Sequence, residues 1–192
     1  MIQQNGVSSS ICFMIFFVFL SCGTEKSASN NSDIHVQLLF QQHTPYCGGA
    51  YPTPEQERGE ITPIQNQEYA IYRASSDTVK HNAKHKPLLV LRTNEKGEIA
   101  MELPVGLYYA VHIDKTLSFD LLYAKYKRES NDYLHSADLT CYQDWYARPE
   151  MRFKVSPDAQ IVRTSVVIQS ACFTGLNPCV AWVGPMPPSV GH

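Results

Sequence analysis

The sequence predicts an all-β sandwich that carries a partly helical insertion. Three observations predict it. A series of segments alternates apolar and polar residues with the period of a strand. These segments are short and are separated by Gly, Pro and Asn turns. One stretch, residues 114–150, breaks the pattern with apolar residues at helical spacing. The chain has 192 residues, 44% apolar and 18% charged, which is enough to bury a core and excludes wholesale disorder. A net charge of −2 leaves no basic field for nucleic acid.

Taken in order, Ile34, Val36, Leu38 and Phe40 alternate with His35, Gln37 and Gln41, a half-buried strand, and Pro45 to Gly49 is turn chemistry. Residues 51–62 are rich in Pro and Glu and read as loop. Residues 68–74 read as a strand, with Tyr69 and Ile71 on one face. Residues 75–87 form a basic polar loop in which His81 and His85 are expected to be solvated among Lys80, Lys84 and Lys86. Leu88 to Arg92 is a short strand. Ile99, Met101 and Leu103 alternate along the next, and residues 107–113 alternate again, with Tyr108, Ala110 and His112 on one face. Near the end, Val162, Thr164, Val166 and Ile168 alternate with Arg163, Ser165 and Gln169. Within residues 114–150, Leu134, Ala137, Cys141 and Trp145 recur at helical spacing behind a possible cap at Asn131-Asp132.

Residues 93–108 (TNEKGEIAMELPVGLY) carry a family resemblance. They resemble the signature of carboxypeptidase-regulatory-like and related prealbumin-like (Ig-like) domains: a Thr-Asp-x-x-Gly turn, an alternating strand, a Pro-x-Gly turn and a strand opening with Tyr. Asn94 stands where Asp is usual, and both cap turns with their side chains. Gly97 and Gly106 are expected to supply positive φ, and Pro104 to sit where no ladder bond is needed. The resemblance covers about residues 60–113 well and the rest weakly; it implies a prealbumin-like sandwich, whose domain is expected to span residues 34–184. Such sandwiches also serve as enzymes, including intradiol dioxygenases that hold iron with two Tyr and two His. His112 shares a face with Tyr108, but that motif is not found here.

The front of the chain reads as an address. Residues 1–21 contain no Asp, Glu, Lys or Arg, and Ile11 to Leu20 is an unbroken apolar run. That run is too short to span a bilayer but matches the core of a secretory signal. It ends at Ser21-Cys22. This resembles a bacterial lipoprotein signal, although Phe19 stands where Leu is usual and no Lys or Arg precedes the run. The resemblance implies cleavage before Cys22, acyl chains such as palmitate on its thiol, and firm membrane anchoring. An ordinary cleaved signal and a retained anchor are the alternatives. Residues 22–33 read as a flexible tether and residues 185–192 as a disordered tail. Gly23 after the cysteine resembles lipoproteins sorted to the outer membrane, here expected to face the periplasm.

With Cys12 in the signal and Cys22 lipidated, Cys47, Cys141, Cys172 and Cys179 remain to form disulfides in an oxidising compartment. The favoured pairing is Cys172–Cys179 with Cys47–Cys141. The competing arrangement ties Cys47 or Cys141 to the C-terminal pair. No cofactor is expected. His35, His43 and Cys47 form the one metal alternative considered, of copper type. Tyr126, Tyr133, Tyr142, Trp145 and Tyr146 concentrate in the insertion and are the candidate binding surface, set against the reading that they pack the insertion onto the sandwich. Asp132, Asp138, Asp144 and Glu150 read as scattered, solvated acids.

No nucleophile elbow, P-loop, dinucleotide fingerprint or HExxH occurs. The expected function is that of a membrane-anchored cell-envelope lipoprotein, a non-enzymatic binding or structural module whose partner is an envelope protein, peptide or glycan. The alternatives are the metal-handling protein and an enzyme on the same sandwich.

Overall fold

A computed structural model describes residues 33–48 and 51–185. The signal, Cys22 and most of the tether lie outside the described residues, as do Gly49 and residues 186–192. In chain order the elements are β1 Ile34–Thr44, α1 Pro54–Glu57, β2 Glu60–Pro63, β3 Glu68–Ala74, β4 Leu89–Arg92, β5 Glu98–Leu103 and β6 Gly106–His112. A 3-10 turn, Ile113–Thr116, then leads to α2 Phe119–Tyr126, β7 Leu134–Ser136, α3 Leu139–Ala147, β8 Met151–Val155, β9 Ile161–Gln169 and β10 Val180–Trp182. The fold is the expected all-β sandwich of two main sheets with a partly helical insertion. No helix among the described residues is long and apolar enough to cross a membrane.

β1 is the hub of the first sheet. One edge pairs antiparallel with β5 over its first half and with β2 over its second. The other edge runs parallel to β9, from His35 opposite Ile161 to His43 opposite Gln169. The second sheet has the order β4-β3-β6-β8, all antiparallel. The alternation seen in the sequence aims Val36, Leu38 and Phe40 of β1 inward with Ile99 and Leu103 of β5. They meet Tyr69, Ile71, Tyr108 and Phe153 of the second sheet, and Phe40 stacks on Tyr69 with ring centroids 3.9 Å apart. Burying such side chains, at roughly 1.5–3 kcal/mol each, is the main force holding the two layers together.

β3 and β6 are buried on both faces. Ala70, Tyr72, Tyr109 and Val111 form a second cluster on the outer side. Residues 75–87 cover it, which corrects the reading of His81 as solvated. His81 is 5% exposed, its ring lies edge-on to Tyr72, Tyr109 and Tyr146, and its Nε2 is 2.7 Å from the Lys115 carbonyl. The basic loop is a lid on aromatic surface, and that surface needed a cover because two adjacent central strands carry apolar residues on both faces.

Other departures have local causes. The stretch 51–62 holds α1 and β2, because Thr53 and Gln56 form a reciprocal capping box and β2 completes the ladder of β1. The third helix starts one residue after Asp138, not at Asn131-Asp132, and Leu134 belongs to β7. Asn94 behaves as expected, its Oδ1 accepting the N–H groups of Lys96 and Glu98. Gly97 has φ +77, but Gly106 is not in the left-handed region. The Tyr108 ring packs over Gly106, where an added Cβ would come within 3.3 Å of it, so the glycine admits a ring there and makes no special turn.

Candidate functional site

The insertion leaves β6 at His112 and rejoins the sandwich at β8. Ser118 caps α2 by accepting from Leu121 N–H, and Asp138 caps α3 by accepting from Cys141 N–H. The helices pack around Tyr142, Cys179 and Val180, with β7 and β10 forming a small antiparallel sheet beside them.

A cavity of about 460 Å³ lies where this unit meets the end of the sandwich. Tyr69, His112 and Glu150 line it from the sandwich side, and Tyr126 and Trp145 from the helices. A third wall is the segment after β9, which contributes Phe173, Thr174, Leu176 and Asn177.

That third wall has little regular structure, yet it is pinned at both ends. Cys172 is joined to Cys47 and Cys179 to Cys141, with Cα atoms 5.6 and 5.8 Å apart. The favoured pairing is therefore wrong, and the competing arrangement holds. The reason is topological. β1 and β9 run parallel in register, so the chain leaves both strands at the same end and brings Cys47 beside Cys172. Cys179 precedes β10, whose neighbour Ala137 donates to the Cys179 carbonyl, and this places Cys179 against the first turn of α3. Between the two cysteines, Thr174 donates to the Val180 carbonyl and Asn177 bridges Tyr126 and Cys179. Phe173 sits at φ +63, a conformation that a bulky residue adopts at a cost, and it remains 50% exposed.

The charged groups beside the cavity are fixed by one another. Lys115 is almost wholly buried; its Nζ lies 2.5 Å from Glu150 Oε1 and donates to the Arg148 carbonyl at 2.8 Å. Burial pushes its ammonium below the ordinary lysine range, and Glu150 opposes the shift. Glu150 Oε2 accepts the His112 N–H at 2.8 Å. The Asp114 N–H donates to His112 Nδ1, which puts the ring proton on Nε2, and burial keeps this imidazole below its usual pKa. Asp114 accepts from Tyr126 and Lys125, whose hydrogen bonds outweigh burial and hold the carboxyl below the ordinary aspartate range. Burial and the Glu150 carboxylate push the Tyr69 phenol well above its usual value, so it stays protonated.

The five aromatic candidates separate by position. Tyr126 and Trp145 line the cavity, with their rings edge-on at 4.9 Å. Tyr133 stacks on Trp182 at the surface and does not reach the cavity. Tyr142 is fully buried, so it presents no surface. Tyr146 donates to the Leu117 carbonyl and packs against His81 and Phe119, holding the insertion to the sandwich. The sequence reading missed Tyr69, Lys115 and Phe173 as site residues and took Glu150 for a solvated acid. Their side chains come from distant segments, and no spacing relates them.

His35, His43 and Cys47 do not form a metal set. Cys47 is in a disulfide, and about 26 Å of strand separates His35 from His43 at roughly 3.3 Å per residue. Both ring nitrogens of His43 face acceptors, Gln169 Oε1 at 2.7 Å and the Arg58 carbonyl at 2.8 Å. No cluster of three or more metal-ligating side chains occurs among the described residues.

No protein-family model matches the chain, and no curated protein matches it. Among solved structures, GBS52, the minor pilin of Streptococcus agalactiae, is similar at 14% identity and TM-score 0.34, over 82% of this chain and 48% of that one. The N-terminal domain of the shaft pilin SpaA from Lactobacillus rhamnosus GG is similar at 12% identity and TM-score 0.34, over 82% of this chain and 99% of that one. The Bacillus anthracis TIE protein is similar at 14% identity and TM-score 0.32, over 71% of this chain and 17% of that one. This chain thus spans less than half the length of the minor pilin and about a sixth of the TIE protein.

Proposed function

We propose that this chain is a non-enzymatic binding module of the bacterial cell envelope, anchored through lipidated Cys22 and holding its ligand in the cavity between sandwich and insertion. The observation that carries the reading is the cavity wall at residues 173–178, an irregular segment fixed at both ends by the two disulfides. A wall held so firmly preserves the shape of a cavity before a ligand arrives, which lowers the ordering cost of binding. The chemistry around it favours holding over turnover. Glu150 and Asp114 each have a cationic partner, His112 Nδ1 already accepts a backbone N–H, and the Thr174 hydroxyl already donates to a carbonyl. None of these is a nucleophile set beside a base.

The lipid anchor rests on the sequence around Cys22 alone. A Cys22→Ala chain is expected to lose acyl labelling and membrane association. Retention of both by the variant would overturn the anchor.

The test of the binding reading follows the Trp145 indole N–H by NMR while short peptides, oligosaccharides and small organic acids are added to the oxidised domain. Shifts at Trp145 that disappear on reduction are expected. A panel that leaves Trp145 unmoved overturns the cavity as the binding site.

A further inference from the structure

We infer that the cavity takes a small organic anion, a carboxylate borne on an aromatic or branched apolar body. This rests on the binding reading above and adds the class of ligand.

The acceptors lining the cavity are largely occupied. Glu150 accepts from Lys115 and His112 on its two oxygens, and Asn177 Oδ1 accepts from Cys179. The donors are not. The Tyr69 hydroxyl is fully buried with no partner among the described residues. The neighbouring His112 ring, edge-on to Tyr69 at 6.0 Å, carries its proton on Nε2, which also has no protein acceptor among the described residues. Arg128 uses Nη1 on the carbonyls of Lys125 and Lys127, and the rest of its guanidinium has no acceptor among the described residues. Gln67 supplies one amide that can do either. A buried hydroxyl without a partner is costly, and an acceptor that reaches it recovers the loss.

Charge points the same way. Of the two charged residues that line the cavity, Glu150 is matched by Lys115, whereas Arg128 has no carboxylate partner among the described residues. One added negative charge would pair with Arg128. Shape supplies the rest. The aromatic faces of Tyr126, Trp145 and Phe173 and the side chains of Leu134, Ile168 and Val180 surround the donors, and about 460 Å³ accommodates a body of one or two rings. A sugar, whose hydroxyls both give and accept, would find few acceptors free.

The experiment measures binding of 1-naphthylacetate, its neutral amide 1-naphthylacetamide and chitobiose to the oxidised, full domain, by calorimetry and by the Trp145 indole signal. Naphthylacetate is expected to bind at least tenfold more tightly than the amide. Tyr69→Phe is expected to weaken naphthylacetate about tenfold without loss of stability, because the hydroxyl it removes is unsatisfied in the free protein. Arg128→Gln, at an exposed position, is expected to weaken the acid and leave the amide unchanged. Equal affinity for acid and amide overturns the anion, as does a Tyr69→Phe protein that binds the acid as well as the parent does. Chitobiose or a peptide moving Trp145 where naphthylacetate does not overturns the anion and leaves the binding reading standing. Silence from every compound overturns both.

Discussion

Lys115 Nζ and Glu150 Oε1 lie 2.5 Å apart at the base of the insertion, one just after the chain leaves β6 and the other just before it enters β8. The pair closes the insertion like a clasp. Lys115 also donates to the Arg148 carbonyl and lies 5.3 Å from the Trp145 ring centroid, while the other Glu150 oxygen takes the His112 N–H. Each charge left the solvent on condition that the other came with it. Removing one partner therefore costs more than the pair itself contributes.

Lys115→Met is expected to destabilise the fold by about 3–5 kcal/mol, because it leaves a buried carboxylate without its counter-charge. Adding Glu150→Gln to that variant is expected to recover part of the loss, since a neutral amide oxygen still accepts the His112 N–H. Denaturant unfolding measures both. A single variant that loses less than about 1 kcal/mol would show that the carboxylate finds solvent instead.

The disulfides make a sharper test of topology. Proteolysis without reduction is expected to release a fragment linking Cys47 to Cys172 and another linking Cys141 to Cys179. A Cys172–Cys179 fragment would contradict the parallel alignment of β1 and β9. Replacing both members of the first pair by serine is expected to cost typically about 2–4 kcal/mol, because it closes a long stretch of chain, and to loosen the wall at residues 173–178.

What the sequence revealed and withheld follows from the range of each interaction. The strands were legible because alternation is a local signal, and the turn at Asn94 was legible because its side chain bonds to backbone only two and four residues away. β8 was equally legible, since Met151, Phe153 and Val155 alternate just after the 114–150 insertion, although it is not among the strands expected from the sequence. The pairing of β1 with β9 was not legible, because no local pattern says which strand lies beside which. The disulfides inherited that gap. Tyr69, His112 and Glu150 meet only because β3, β6 and the entry to β8 sit side by side in the second sheet. Composition points equally to Tyr126, Trp145 and Tyr142, but only Tyr126 and Trp145 line the cavity, whereas Tyr142 packs into the core of the insertion.

Gly97 and Gly175 separate backbone strain from steric clash. Both have positive φ, +77 and +69, but an added Cβ would meet the Phe40 carbonyl oxygen at 2.4 Å at Gly97 and nothing within 4 Å at Gly175. Gly175→Ala is expected to cost about 1–2 kcal/mol, the left-handed penalty alone. Gly97→Ala is expected to cost clearly more, because the Phe40 carbonyl also receives Ile64 N–H in the ladder and has little room to shift. Thermal unfolding of the two variants gives the comparison, and equal losses would mean that β1 yields at Phe40.

Acid is expected to weaken the fold through its histidines. Burial holds His81 below its ordinary value of 6.5, with the Lys115 carbonyl, the Lys115 and Glu150 charges and His85 as further influences. His112 is lowered in the same way. A histidine whose pKa is depressed by folding takes up a proton more readily when unfolded, so stability is complete above about pH 6.5 and is lost as pH falls through the folded values. His43 has the opposite sign. The Arg58 carbonyl and then Gln169 raise its pKa, so its contribution is present below about pH 6.5 and fades as pH rises through the folded value. His43 is exposed and the other two are enclosed, so the loss on the acid side dominates. An NMR titration is expected to place His81 and His112 below 6.5 and His43 above it, with the unfolding midpoint lower at pH 5 than at pH 7.5. A His81 ring that titrates at or above 6.5 would show that residues 75–87 lift away from the Tyr72–Tyr109 face in solution.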